Sequence, residues 1–170
     1  MNIILIGFKS SGKTTIGKRL AEQHNCSFYD SDELLLRIGH QNSCYDLFKF
    51  LGEKEFRKME KKIILGLNVN NAVIALGGGS LSQKVAKHLK TNGFFIYLDV
   101  NPKILEKRIL STANFLSENK NFKEEFWHIY KQRGKKFKKF AHISVEIDEQ
   151  SVDEVVKVIC SKIPLDQYLE

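Results

Sequence analysis

One short stretch near the start of the chain limits what the chain can fold into. Residues 7–14 read GFKSSGKT and match the pattern G-x-x-x-x-G-K-[ST], in which a glycine-rich loop surrounds phosphate groups with backbone N–H groups. The apolar, mostly β-branched residues 3–6 predict a buried strand before it. Ile16, Leu20 and Ala21 lie on one helix face after it. A strand, a glycine loop and a helix in this order predict an anion site at a helix N-terminus.

The residue types in this loop suit a nucleotide triphosphate. Gly7 and Gly12 allow the backbone to bend and approach phosphates closely. Lys13 would place a positive charge on the β- and γ-phosphates, and the Thr14 hydroxyl would bind Mg²⁺. The alternative is a glycine–serine turn before a surface helix. The flanking strand and helix favour the phosphate loop.

Length and composition indicate a globular protein. The 170 residues are enough for one domain with a sizeable core. No apolar run is long enough to span a membrane, and the chain enters a strand at once, so we expect a cytoplasmic protein without a signal peptide. Three widely spaced cysteines and scattered histidines predict neither a disulfide framework nor a metal cluster. We also expect a monomer.

The net charge of +7 is concentrated in one part of the chain. Residues 101–140 hold 11 Lys/Arg and 4 Asp/Glu, a balance of +7, whereas the remaining residues hold 16 of each. The basic residues are densest between Lys131 and Lys139. This region could attract a polyanionic substrate or a nucleic acid. We favour a solvated helix face for most of these lysines, and nucleic-acid binding is the weakest of these interpretations because no DNA- or RNA-binding module is visible.

Two acidic residues follow the second predicted strand. Asp30 and Asp32 come after residues 27–29, so they would project beyond the carboxyl end of that strand, where open α/β sheets bind ligands. Next to a phosphate loop, one carboxylate can hold Mg²⁺ through water and the other can accept a proton from a substrate hydroxyl. The alternative is structural, with Asp32 as a helix N-cap and Asp30 as a turn residue.

Three glycines follow the third predicted strand, residues 72–76. Gly77, Gly78 and Gly79 would leave bare backbone N–H groups at the end of this strand, open to a ligand. The alternative is a flexible turn, although three glycines lose more chain entropy on folding than one.

The rest of the chain alternates between strand and helix patterns. Further strands are predicted at residues 94–98 and 142–147, and helices at 33–38, 55–67 and 81–90 and in stretches beginning at 102, 126 and 152. Arg57 lies one residue off the apolar stripe of its helix, facing a cleft or solvent. Residues 111–122 are polar and irregular, which predicts a mobile lid loop. The pattern predicts an α/β fold, a five-stranded parallel sheet flanked by helices, with the three loops at one edge.

These motifs together resemble the shikimate kinase family of small P-loop kinases. The resemblance rests on four segments, GFKSSGKTTIGKRLA, FYDSDELL, LFKFLGEKEFRKMEKKIIL and VIALGGGSL. It covers most of the chain, and the combination of D-x-D, G-E-x-x-F-R-x-x-E and G-G-G is more specific than the phosphate loop alone. The family transfers the γ-phosphoryl group of ATP to the 3-hydroxyl of shikimate with Mg²⁺, a step of aromatic amino acid biosynthesis.

The resemblance also implies roles for single residues. Arg108 would pack on adenine, together with the loop of residues 148–151. The rest of the nucleotide would be bound by the phosphate-loop residues Ser10, Ser11, Gly12, Lys13, Thr14 and Thr15. Thr14 would bind Mg²⁺ directly and Asp30 through water, while Lys13 and Asp32 would be catalytic, Asp32 as the base. The shikimate site would consist of Asp32, Arg57, Gly77, Gly78, Gly79 and Arg133, with the two arginines on the carboxylate.

The chain departs from this family in two places. The lid of the family carries an R-P-x-L motif whose arginine reaches the transferring phosphoryl group, whereas residues 112–116 read TANFL, and the next basic residues are Lys120 and Lys123. After Arg133 the family often has a P-L-Y run, and residues 134–137 here read GKKF. Two alternatives therefore stay open: another small-molecule kinase, such as one for gluconate, or a degenerate nucleotide-binding relative that has lost turnover.

Overall fold

Five short strands form one parallel sheet in the computed structural model, which describes residues 1–111 and 121–163. The sheet order is β2-β3-β1-β4-β5, and each neighbouring pair is parallel. This confirms the predicted fold class. The strands are β1 (Asn2–Gly7), β2 (Ser27–Asp30), β3 (Ala72–Ala75), β4 (Gly93–Val100) and β5 (Ile143–Ile147).

Helices cover both faces of the sheet. Alternate residues of β1 point to opposite sides, and because these residues are apolar on both sides, each face has to be covered. Ile3 and Leu5 belong to one apolar cluster, and Ile4 and Ile6 belong to another. A third, smaller cluster joins α2 to α3 through Leu35, Leu47 and Phe56. The helices are α1 (Lys13–Gln23), α2 (Ser31–Gly39), α3 (Cys44–Leu65), α4 (Gln83–Leu89), α5 (Pro102–Leu110), α6 (Phe122–Phe140) and α7 (Val152–Lys162).

Helix ends follow the capping signals in the sequence with one correction. Ser43 caps α3 by accepting a hydrogen bond from the Asp46 N–H, and serine is a preferred residue at this position. Gly52 interrupts this helix with φ 71° and ψ 164°, backbone angles that glycine adopts without steric strain. The structural alternative for the D-x-D motif assigned the cap to the wrong residue, because Asp30 caps α2 and Asp32 lies in its first turn.

The predicted lid falls largely outside the described residues. Ser111 ends α5, and residues 112–120 and 164–170 are not described. Phe122, predicted as the last lid residue, is instead the first residue of α6, because its ring is buried and stacks on Phe126 at 5.7 Å. In the part of the chain that is described, none of the helices combines the length and apolar character needed to cross a bilayer.

Candidate active site

The loops after β1, β2 and β3 meet at one edge of the sheet and enclose a cleft of about 680 Å³. Parallel strands present their carboxyl ends at the same edge, so residues far apart in sequence come together there. Most of the residues singled out from the sequence line this cleft. They are Ser10, Ser11, Gly12, Lys13, Thr14, Thr15, Asp30, Asp32, Arg57, Gly78, Gly79 and Arg133.

The phosphate loop is held in a curved conformation. Gly12 adopts φ 88°, a left-handed backbone angle that suits glycine. The Lys13 ammonium donates to the carbonyls of Phe8 at 2.8 Å and Gly7 at 3.2 Å. Burial lowers the pKa of Lys13 to about 8, while Asp32 and Asp30 act in the opposite direction. An anion bound in the loop would favour the protonated ammonium.

Thr14 and Asp30 lie side by side at the foot of the cleft. The Thr14 hydroxyl donates to the Asp30 carboxylate at 2.6 Å, and the other oxygen of that carboxylate accepts the Asp32 N–H at 2.9 Å. No group of three or more His, Cys, Asp or Glu residues among residues 1–111 and 121–163 could hold a metal ion. Magnesium does not need such a group, since it retains several waters and is bound by one or two protein oxygens together with phosphates. The hydroxyl and carboxylate fit this ion.

Asp32 faces the same cleft from the first turn of α2. A Cβ atom on Gly77 would overlap its carboxylate, so the two chain segments are in close contact. Burial raises the pKa of Asp32 and the neighbouring Asp30 raises it further, whereas Lys13, Lys9 and Arg57 lower it. The carboxylate is therefore set among three cations at the junction of the loops.

Arg57 lies on α3, and its partner is a buried acid. Its Nη1 donates to the Glu60 carboxylate at 2.7 Å, and the Glu60 side chain is only 4% exposed. Burial raises the pKa of Glu60, and Arg57 opposes this shift. The guanidinium also lies 5.3 Å from the centre of the Phe56 ring. Both contacts hold Arg57 at the cleft. Of the two orientations that the sequence left open, the side chain therefore has the one that faces the cleft.

Arg133 reaches the cleft from α6 on the opposite side. Its Nη1 donates to the Gly78 carbonyl at 3.2 Å, and its guanidinium lies 5.6 Å from the centre of the Phe8 ring. Burial lowers the pKa of Arg133, and the positive charge of Arg57 lowers it further. Two neighbouring guanidinium groups repel each other, so an anion between them would stabilise both.

The three glycines pack closely against neighbouring residues, and at Gly78 the neighbouring atom belongs to the backbone. A Cβ atom on Gly78 would lie 2.9 Å from the Lys9 backbone nitrogen, and one on Gly79 would lie 2.8 Å from both terminal nitrogens of Arg57. Of these three glycines, Gly78 and Gly79 line the cleft and Gly77 does not. The expectation of three bare N–H groups was wrong for Gly77, whose N–H donates to the Ser31 hydroxyl at 2.8 Å.

Arg108 lies near the phosphate loop but does not line the cleft. Its Nη1 donates to the Ser10 carbonyl at 3.3 Å. In the loop of residues 148–151, Asp148 accepts a hydrogen bond from Asn101, and Ser151 caps α7. The adenine role of Arg108 and of this loop stays a prediction.

Two charged residues at the site, Glu60 and Lys9, could not be recognised from the sequence pattern. Glu60 was part of a quoted motif, but a carboxylate three residues after an arginine is typical of a solvated helix pair. Its burial could not be read from spacing. Lys9 occupies a variable position of the phosphate-loop pattern, yet it lines the cleft.

A family model and curated relatives indicate the family of this chain. The family model described as shikimate kinase matches residues 9–164. A shikimate kinase of Thiobacillus denitrificans is 35% identical over 168 residues, covering 96% of this chain and 91% of that protein. One of Blochmanniella floridana is 34% identical over 166 residues, covering 92% of this chain and 89% of that protein.

Solved structures show the same similarity. The shikimate kinase of Acinetobacter baumannii in complex with shikimate superposes with a TM-score of 0.87 at 26% identity, covering 99% of this chain and 95% of that chain. The shikimate kinase of Aquifex aeolicus gives a TM-score of 0.81 at 30% identity, covering 95% of both chains.

Proposed function

The chain belongs to the shikimate kinase family, and on that premise we propose that it transfers the γ-phosphoryl group of ATP to the 3-hydroxyl of shikimate. The bond between the γ-phosphorus and the β,γ-bridging oxygen breaks, and its electron pair stays on ADP. The 3-hydroxyl oxygen of shikimate forms the new bond to phosphorus, and its proton passes to the Asp32 carboxylate. The products are ADP, shikimate 3-phosphate and one proton.

The nucleotide phosphates would be bound in the loop of residues 7–14. Lys13 would exchange its hydrogen bonds to the Gly7 and Phe8 carbonyls for phosphate oxygens. The loop precedes α1, so its N–H groups and the positive end of the helix dipole act on the same anion. Ser10 to Thr15 line the cleft on this side, consistent with the predicted nucleotide contacts.

Mg²⁺ fits the pair formed by Thr14 and Asp30. Thr14 would bind the ion through its hydroxyl and Asp30 through water, and the pair is already joined at 2.6 Å. When bound, the ion neutralises charge on the β- and γ-phosphates. Asp30 also caps α2, so the residue that supports the metal fixes the helix that carries Asp32.

The shikimate carboxylate would bind between Arg57 and Arg133. Both arginines line the cleft with Asp32, Gly78 and Gly79, so a ring whose carboxylate sits on them would present its hydroxyls toward Asp32. The N–H groups of the two glycines would donate to the substrate. The observation that carries this proposal is the convergence of both guanidinium groups and the Asp32 carboxylate opposite the phosphate loop.

Coupled measurement of ADP release tests the function directly. With Mg²⁺ and ATP, we expect turnover that requires shikimate and produces a phosphate ester at its 3-position, identified by phosphorus NMR. Gluconate, another anionic polyol, is the comparison substrate. Folded, Mg²⁺-loaded protein that releases no ADP in response to shikimate would exclude the proposal, and turnover with gluconate instead would identify the related kinase.

A degenerate nucleotide-binding relative is the second candidate, favoured by the absence of arginine from the sequence of residues 111–122. Such a protein would bind ATP with Mg²⁺, turn over no shikimate and gain nothing from Ala113→Arg. An active enzyme with a weak lid would gain rate from the same substitution, because an arginine at a phosphoryl transition state contributes about 10³–10⁵-fold.

We further propose a cytoplasmic monomer whose partners are ATP and shikimate, without nucleic acid. The three cysteines Cys26, Cys44 and Cys160 are all unpaired, which suits a reducing compartment. Sedimentation of the purified protein would test the monomer, and salt-dependent binding of DNA or RNA to α6 would contradict the partner assignment.

A further inference from the structure

Lys9 lies where the phosphate loop meets the substrate half of the cleft. A Cβ atom on Gly78 would be 2.9 Å from the Lys9 backbone nitrogen and 3.5 Å from its Cα, so the two segments touch at this residue. The Lys9 side chain is exposed and lines the cleft. Its flexible four-carbon stem lets the ammonium reach either half.

The electrostatic neighbours of Lys9 indicate where its ammonium lies. Its charge lowers the pKa of Lys13 on the phosphate side, and it lowers the pKa of Asp32 and Cys44 on the substrate side. Because Lys9 also lines the cleft, its ammonium can act on the space between the phosphate loop and the proposed base. The γ-phosphoryl group has to cross this region.

The other cations that line the cleft already have partners within the protein. Lys13 donates to loop carbonyls, Arg57 to Glu60 and Arg133 to the Gly78 carbonyl. Lys9 makes no hydrogen bond or ion pair with any residue in the ranges 1–111 and 121–163. An ammonium that makes no hydrogen bond or ion pair with these residues is available to bind an anion that enters the cleft.

We propose, on the premise of the kinase activity above, that Lys9 is a catalytic residue that binds the γ-phosphoryl oxygens during transfer. Negative charge is spread over three equatorial oxygens while the bond to ADP breaks and the bond to the shikimate oxygen forms. A positioned cation is most effective where this charge develops. Residues 111–122 supply no arginine for this task, and Lys9 provides the charge from the phosphate loop itself.

The test compares Lys9→Met, Lys9→Arg and Lys87→Met. Lys9→Met removes the charge and keeps much of the apolar stem, and we expect kcat to fall by about 10²-fold with the KM for ATP and shikimate nearly unchanged. Lys9→Arg keeps the charge and should retain most of the rate. Lys87 is exposed on α4 and does not line the cleft, so Lys87→Met is the control for loss of a surface charge.

A binding measurement separates catalysis from folding and from substrate attraction. ADP with aluminium fluoride, Mg²⁺ and shikimate mimics the transferring phosphoryl group, and Lys9→Met should weaken its binding by about 10²-fold while ADP alone binds as before. An unchanged kcat, or a rise in the KM for shikimate alone, would overturn the role of Lys9 and leave the kinase function standing. If the wild-type protein shows no shikimate-dependent turnover, the kinase function fails, and the fluoroaluminate comparison alone decides the role of Lys9.

Discussion

The Thr14 hydroxyl and the Asp30 carboxylate are joined by a 2.6 Å hydrogen bond across the carboxyl ends of β1 and β2. This contact connects the phosphate loop to the start of α2, the helix that carries the proposed base. Asp30 uses its second oxygen to hold the Asp32 N–H. The same carboxylate therefore caps the start of α2 and, in the proposed site, would also support the metal.

The first prediction is that Asp30→Asn weakens magnesium use without disturbing α2. Asparagine is as good an N-cap as aspartate, so the helix should keep its start. The loss of the carboxylate charge should raise the Mg²⁺ concentration for half-maximal activity by about 10–100-fold. Titration of activity with Mg²⁺, and of Mg²⁺-dependent ADP binding by calorimetry, checks this. Thr14→Ser keeps the hydroxyl and should behave as wild type, and an unchanged Mg²⁺ requirement in Asp30→Asn would contradict the assignment.

The second prediction concerns the pair formed by Arg57 and buried Glu60. Arg57→Lys keeps a charge but loses the planar fork, so the KM for shikimate should rise by about 10–100-fold while the KM for ATP stays the same. Steady-state kinetics with each substrate varied in turn measures both values.

Stability separates the two tasks of Arg57. Arg57→Ala leaves Glu60 buried without its partner, which lowers the free energy of unfolding. Because the Arg57 side chain is 36% exposed, solvent screens part of the interaction, and we expect a loss of about 1–3 kcal/mol. Adding Glu60→Gln removes the stranded charge and should restore part of this loss, without restoring the KM for shikimate. A double variant that recovers substrate binding would show that Arg57 does not contact the substrate.

The five-stranded sheet, and the edge of it that carries the site, could be predicted from local sequence patterns. Continuous apolar runs such as residues 72–75 are typical of central parallel strands, and parallel strands place the ends of β1, β2 and β3 at one edge. The strand order alone therefore predicts that Lys13, Asp32 and Gly79 lie near one another.

The parts that could not be predicted depend on tertiary contacts. The Gly77 N–H is bound by Ser31, a residue 46 positions away, so no local pattern could reveal that it is unavailable. Phe122 joins α6 because Phe126 and the core accept its ring, although its neighbours are polar. The sequence pattern alone indicates that Glu60 is a surface acid. In the folded protein the packing of α3 buries Glu60, and its carboxylate accepts a hydrogen bond that holds Arg57 in place.

The third prediction is a pH-dependent stability due to His142. Its Nδ1 accepts the Phe95 N–H at 2.8 Å, and its ring stacks on Phe94 at 4.8 Å. Burial and Lys90 lower the pKa of His142 below its usual 6.5. The folded state therefore binds this proton less readily than the unfolded state, so the contribution to stability is present above pH 6.5 and is lost as pH falls through the lower folded pKa.

His142→Asn tests this contribution because the amide oxygen can accept the same N–H without titrating. The midpoint of thermal unfolding should fall less for His142→Asn than for wild type between about pH 7 and pH 5. The other histidines are common to both proteins and cancel in the difference. Parallel curves for the two proteins would contradict the role of His142.

The last prediction uses two glycines that differ in what surrounds them. A Cβ atom on Gly79 would lie 2.8 Å from Nη1 and Nη2 of Arg57, so alanine there would displace the guanidinium that is paired with buried Glu60. Gly79→Ala should therefore raise the KM for shikimate by about tenfold or more, since one charge-assisted hydrogen bond contributes at least that much. Steady-state kinetics, with circular dichroism to confirm folding, measures the effect.

Gly134→Ala is the matched control within the proposed binding helix. Its Cβ atom would meet the Tyr97 hydroxyl at 3.8 Å, an ordinary contact, and Gly134 lies inside α6. Alanine is favoured over glycine in a helix by about 0.8–1 kcal/mol, so the midpoint of thermal unfolding should rise by about 2–4 °C with kinetics unchanged. If both alanine variants bind shikimate as the wild type does, the cleft beside Arg57 tolerates displacement of the guanidinium, and this arginine cannot be the residue that holds the substrate carboxylate.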